Sequence, residues 1–278
     1  MVMVNRGNII WIYNQPRGIT YMYSHSGNAA IADFEHYVEK HQKKKERKQR
    51  KLKQSGLNLE IIEALTPTQQ AVFDSYYDGQ NIVLHGCAGT GKTFLSTYLA
   101  VKDILDRVEN KRQLIIVRSV VPTRDMGFLP GNATEKMKVY ETPYKDLFQN
   151  MFNRGDAYEI LKGRGVVNFT TTSFVRGQTW DNAIVVVDEA QNLSFQELHS
   201  VITRVGENSR IMICGDGKQD DLTSERFKQQ SGLSQFLNVL NNMRSFDIIN
   251  FKTDDIVRSG LVREYILACE SLNTNIYN

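Results

Sequence analysis

The chain has 278 residues and a formal net charge of +3, with 41% hydrophobic and 23% charged side chains, enough for one sizeable α/β domain plus an appendage. No apolar run approaches the ~18–20 residues that cross a bilayer, so no membrane partner is expected. The opening MVMVNRGNIIWIYNQ lacks a basic start followed by a small-residue cleavage site, and Cys87, Cys214 and Cys269 form no CxxC pair, which together predict a reducing, cytoplasmic setting without disulfides or zinc.

Residues 9–13 and 19–23 read as short β-strands flanking Asn14-Gln15-Pro16-Arg17-Gly18, and they predict a hairpin. Ile31, Phe34 and Val38 recur at helical spacing within 29–38. Residues 40–53, KHQKKKERKQRKLK, are almost purely basic. They form either a solvated face or linker, or an arm that contacts phosphates, since clustered Lys and Arg release counterions from nucleic acid. Gly56 closes the run, which places an N-terminal extension over 1–56 and a larger domain over 57–278.

From Leu57 onward strands alternate with helices. Thr66-Pro67 supplies a cap and a first-turn proline for a helix carrying Gln69, Gln70, Val72 and Phe73. Strands are predicted over 82–84, 113–117, 166–170, 183–188 and 210–214. Helices are predicted over 93–107, about 134–152, 194–205, 232–243 and 261–271. Ser194 with Glu197 makes a capping box. Nearly all-apolar strands separated by helices imply an α/β fold with a parallel sheet covered on both faces.

The chemistry begins between the first two of these strands. Gly86, Cys87, Ala88, Gly89, Thr90, Gly91, Lys92 and Thr93 fill the phosphate-loop pattern G-x-x-x-x-G-K-S/T, with an apolar run before it and a helical run after it. Glycines let successive backbone N–H groups turn toward phosphate oxygens, and the helix adds the positive end of its dipole. Lys92 is expected to reach the outer phosphates and Thr93 to ligate Mg²⁺. The strand over 184–187 then ends in Asp188 and Glu189, adjacent acids that are costly beside apolar residues unless a cation meets them. Asp188 is expected to hold Mg²⁺, and Glu189 to orient and deprotonate the attacking water. After the next strand, Gln219 is the candidate γ-phosphate sensor, because ligands of open α/β sheets bind at the carboxyl ends of strands.

Six blocks, LTPTQQ, HGCAGTGKT, VRSVVPTRDMGFLPGN, SFVRGQTWDNAIVVVDEAQN, ITRVGENSRIMICGDGKQDDL and DIVRSGLVREYI, follow one another over roughly residues 65–270. In that order they resemble the PhoH-like phosphate-loop ATPases, relatives of the first RecA-like domain of superfamily 1 helicases. The resemblance implies a RecA-like P-loop NTPase fold, ATP with Mg²⁺, and Gln69 as a reader of the adenine edge. The absence of an N-K-x-D guanine-reading motif agrees with ATP over GTP. It further implies a homo-oligomer, such as a hexameric ring, in which a neighbour supplies an arginine. Arg204 and Arg258 are the candidates, with Arg176 a third. Arg118, Thr123, Arg124 and Arg176 match positions where related helicases grip a single-stranded backbone of RNA or DNA. Phe128 either stacks on a base or packs its loop. The chain departs from the family at Cys87, which replaces a common Pro or Gly, and at Ser119, which replaces a common proline, and residues 1–56 match nothing in it.

Two functions from different classes follow. One is a Mg-dependent ATPase acting on RNA or single-stranded DNA as a helicase-like motor. The other is a nucleotide-gated oligomeric binding or assembly protein without motor activity. A small-molecule kinase is a weaker third, lacking a recognisable arginine-rich lid.

Overall fold

The computed structural model describes residues 2–6, 9–14, 19–24, 56–106, 111, 113–119, 133–216 and 232–271. The chain divides into two compact units, Met1–Leu57 and Asn58–Asn278. In the first, β1 (Val2–Arg6), β2 (Ile9–Asn14) and β3 (Ile19–Ser24) form an antiparallel sheet in that order. Tyr13 lies opposite Thr20 across the second pairing, and Val4 opposite Trp11 across the first, whose outer strand the sequence reading did not include. The helix expected over 29–38 and the basic run over 40–53 lie outside the described residues.

The second unit is built on β4 (Asn81–Gly86), β5 (Gln113–Arg118), β6 (Val167–Thr171), β7 (Ala183–Asp188), β8 (Arg210–Gly215) and β9 (Phe246–Phe251). They make one parallel sheet in the order β6-β5-β7-β8-β4-β9. The described helices are α1 (Pro67–Tyr77), α2 (Lys92–Asp106), α3 (Ala133–Phe152), α4 (Ala157–Gly163), α5 (Phe195–Ile202), α6 (Leu233–Leu240) and α7 (Gly260–Ser271). None of them is long and apolar enough to cross a membrane.

Alternation along the strands explains why both faces are covered. Val83, Ile115, Val117, Val185, Val187, Ile211 and Ile213 bury one face with Leu198 and Val201 of α5 and Leu233, Phe236 and Leu240 of α6. Cys214, of opposite parity, points to the other face, where its Sγ meets Ser96 Oγ of α2 at 3.2 Å. Residues of both parities are buried throughout β7 and β8, which is why these strands read as unbroken apolar runs. Helix starts are set locally: the Thr66 side chain accepts from Gln69 N with Pro67 in the first turn, and Ser194 and Glu197 complete a reciprocal box at α5.

Five strands were expected in this sheet and six are present among the described residues. The addition, β9, is an edge strand whose sequence FDIINF carries Asp247 and Asn250 among apolar residues, so it offers no wholly apolar run. Asp247 is satisfied by Ser75 Oγ of α1 at 2.6 Å. The short α4 was also missed.

Candidate active site

The phosphate loop leaves β4 and the acidic pair closes β7, with β8 between them, so both sit at the carboxyl edge of the sheet. The loop takes its shape from three glycines with positive φ: +109° at Gly86, +75° at Gly89 and +88° at Gly91. Its turns are braced from several directions. Cys87 N donates to Phe251 O at 2.9 Å and Val257 N to Gly89 O at 3.1 Å. The fully buried Thr90 donates its hydroxyl to Cys87 O at 3.0 Å. Lys92 curls over the loop, and its Nζ donates to Gly86 O at 2.7 Å and Cys87 O at 2.6 Å. Burial holds the Lys92 amine below its usual pKa, against the pull of Asp216, of nearby thiols and of Glu189. A desolvated cation tied to loop carbonyls is poised for an anion.

Thr93, at the start of α2, donates its hydroxyl to Asp188 Oδ1 at 2.6 Å, and Tyr144 of α3 donates to Oδ2 at 2.7 Å. A threonine hydroxyl and a carboxylate in contact at the end of a phosphate loop are hard oxygen donors and fit Mg²⁺. Glu189 follows at φ +52°, a left-handed conformation that costs about 1–3 kcal/mol in a non-glycine residue and is concentrated at functional sites. Its carboxylate accepts from Gln191 Nε2 at 2.5 Å and faces Arg118 Nη2 at 3.9 Å. Burial, then Asp188, raises the Glu189 pKa above its usual value, while Arg118, Gln191 and Lys92 work against that rise. The other end of the Gln191 amide accepts from Asp216 N at 3.0 Å, joining Glu189 to the turn after β8. His85, at the end of β4, is held below its usual pKa by burial and by Lys92.

The phosphate loop, the acidic pair and the turn after β8 line one cleft of about 990 Å³. It contains Lys92, Thr93, Asp188, Glu189, Gln69 and Arg258, so residues as far apart as Gln69 and Arg258, separated by 189 positions (258 − 69), share one wall system. Gln69 is 3% exposed, and its amide is engaged at both ends: Oε1 accepts from Leu65 N at 2.8 Å and Nε2 donates to Thr90 O at 3.0 Å. In this state it braces the phosphate loop. Arg258, named from sequence as a residue donated by a neighbour, lies against the loop of its own chain; a Cβ on Gly89 would stand 2.9 Å from its Cγ. Arg118, named as a nucleic-acid contact, ends β5 opposite Asp188 and turns to Glu189.

Arg204 and Arg176 do not line the cleft. Arg204 lies in the connection from α5 to β8, at the amino edge of the sheet, about 20 Å from the carboxyl edge at ~3.3 Å per strand residue. Its guanidinium donates to Ser200 O at 3.4 Å and Gln178 O at 3.5 Å. Arg176 is exposed in the turn before Trp180. Thr123, Arg124, Phe128 and Gln219 lie outside the described residues. Sequence reasoning missed Tyr144 and the bridging role of Gln191. The latter stands two positions after Glu189 and was within reach of the motif; the former is 44 positions from Asp188 and gave no local signal.

A family model described as PhoH-like protein matches residues 61–270. A PhoH-like protein of Synechocystis sp. is 32% identical over 218 residues, covering 78% of this chain and 65% of that protein. Protein PhoH of Escherichia coli is 32% identical over 191 residues, covering 68% of this chain and 52% of that one. The chain thus spans about half to two thirds of the length of these relatives. In structure it resembles the large terminase of a thermophilic bacteriophage in complex with ADP, at 13% identity and a TM-score of 0.44, over 72% of this chain and 49% of that one.

Proposed function

The chain belongs to the PhoH-like protein family, and from that premise we propose that it binds ATP with Mg²⁺ in this cleft and hydrolyses it. One observation carries the reading: Thr93 of the phosphate loop and Asp188 of β7 touch at 2.6 Å, so the anion cradle and the acidic pair are one site. Backbone N–H groups of the glycine turns and Lys92 would hold the β- and γ-phosphates. Thr93 and Asp188 would hold Mg²⁺, which when bound neutralises charge developing on the phosphates. Glu189, next in the chain, would orient the attacking water and accept its proton, and its raised pKa suits that exchange. Arg258, lying along the loop, would meet the negative charge from within the same chain.

The action on RNA or single-stranded DNA extends this reading. It is supported by the basic run over 40–53 and by the exposed Arg176. A homo-oligomer, as a ring, would let an arginine of one copy, Arg204 foremost, complete the cleft of the next, a contribution worth about 10³–10⁵ in turnover in comparable hydrolases.

The test is ATP turnover by the purified chain with and without Mg²⁺, with Lys92→Ala as the blank, repeated with single-stranded RNA and DNA at low and moderate salt. Magnesium-dependent turnover abolished in Lys92→Ala is the expected result. Stimulation by polynucleotide that fades steeply with salt supports the motor; turnover indifferent to polynucleotide removes it and leaves the gated assembly. Sizing with ATP and Mg²⁺ tests the ring, since full activity in a strict monomer excludes a donated arginine.

A further inference from the structure

Asp188 is held by two hydroxyls, one on each carboxylate oxygen. Thr93 donates to Oδ1 from the first turn of α2, and Tyr144 donates to Oδ2 from within α3. The two donors differ in what else they can do. Thr93 lines the cleft, and its hydroxyl can rotate to offer a lone pair to a cation. Tyr144 is 1% exposed and its ring stands 5.6 Å from that of Phe169 on β6, so core packing fixes where its hydroxyl points.

We propose that Tyr144 is a positioning residue for the divalent cation, anchoring Oδ2 so that Oδ1 and Thr93 present their oxygens together toward the cleft. The inference rests on the nucleotide reading above. A carboxylate at a strand end can turn about its last torsion; fixing one oxygen fixes the other. Without that anchor, Asp188 would sample orientations in which neither oxygen meets the position Thr93 offers. Partners that orient a ligating carboxylate are typically worth about 10- to 100-fold in metal affinity. The same stretch of α3 supplies Pro143, Asp146 and Leu147 to the cleft wall, so Asp188 is tied through Tyr144 to the helix that borders the ligand.

Tyr144→Phe removes the hydroxyl and keeps the ring. Binding of a fluorescent ADP analogue to the EDTA-treated full chain, titrated with MgCl₂, reads the effect alongside the thermal midpoint. The expected result is a rise of about 10- to 100-fold in the Mg²⁺ concentration for half-saturation, with the metal-free affinity unchanged. Tyr158→Phe, which removes a buried hydroxyl on α4 outside the cleft, serves as the control and should leave the Mg²⁺ dependence alone. Tyr144→Met, adaptable in shape and without a donor, repeats the test should the phenylalanine variant not fold. A wild-type Mg²⁺ dependence in these Tyr144 variants, whatever their thermal midpoints, overturns the proposal while leaving the nucleotide site standing. A wild-type chain whose nucleotide affinity ignores Mg²⁺ overturns the cleft reading and the proposal together.

Discussion

Gly86→Ala is a substitution at the phosphate loop whose outcome the geometry constrains tightly. A Cβ built on Gly86 stands 2.2 Å from Phe251 O, 2.7 Å from Asn250 Oδ1 and 3.0 Å from Phe251 C. Phe251 O cannot retreat freely, because it accepts from Cys87 N at 2.9 Å and β9 is paired to β4 along its whole length. Bringing the shortest contact to 3.0 Å needs a movement of at least 0.8 Å (3.0 − 2.2), most of it by backbone. Three terms add. A side chain at this positive φ costs about 1–3 kcal/mol. Crowding in a packed region costs about 1–3 kcal/mol. Loosening the Cys87–Phe251 bond costs about 1 kcal/mol. The sum, about 3–7 kcal/mol, is a large part of the ~5–15 kcal/mol that keeps a domain folded. Gly79→Ala is the matched control. It also has a positive φ, +89°, but its Cβ meets nothing within 4 Å, so it carries the backbone term alone. Urea titrations of both variants, compared by midpoint and slope, separate the steric part, about 2–4 kcal/mol by the same two estimates. Equal losses at the two glycines would refute the close approach of β9 to the phosphate loop.

Glu189→Gln should retain Mg-nucleotide binding while single-turnover hydrolysis falls about 10²–10⁴-fold; a rate near wild type would remove Glu189 from the chemistry. Gln69→Ala strips Thr90 O and Leu65 N of their partner, and should lower stability by about 1–3 kcal/mol and weaken ATP and GTP binding alike. A loss confined to ATP in competition binding would instead assign Gln69 to the base. Ser194→Ala breaks the capping box at α5 and should cost about 1 kcal/mol by urea denaturation with nucleotide affinity unchanged.

The local chemistry was legible in the sequence. The phosphate loop, the Asp188-Glu189 pair, the capped starts of α1 and α5, and the apolar strands β4, β5, β7 and β8 are written in contiguous residues whose periodicity and glycine spacing leave few alternatives. Side-chain choice at an edge is less constrained, so β9, with Asp247 and Asn250 in its run, carried no such mark although it holds the phosphate loop through Phe251 O. Which arginine serves which neighbour was equally hidden, because a guanidinium reads the same beside Glu189, along the phosphate loop, or at the far edge of the sheet. Sequence alone therefore determined the candidate site's groups and their order along the chain. Only the tertiary structure decided that Arg118 faces Glu189, that Arg258 lies on its own loop and that Tyr144 secures Asp188, since those contacts join elements 44 to 169 positions apart and depend on how strands are ordered in the sheet.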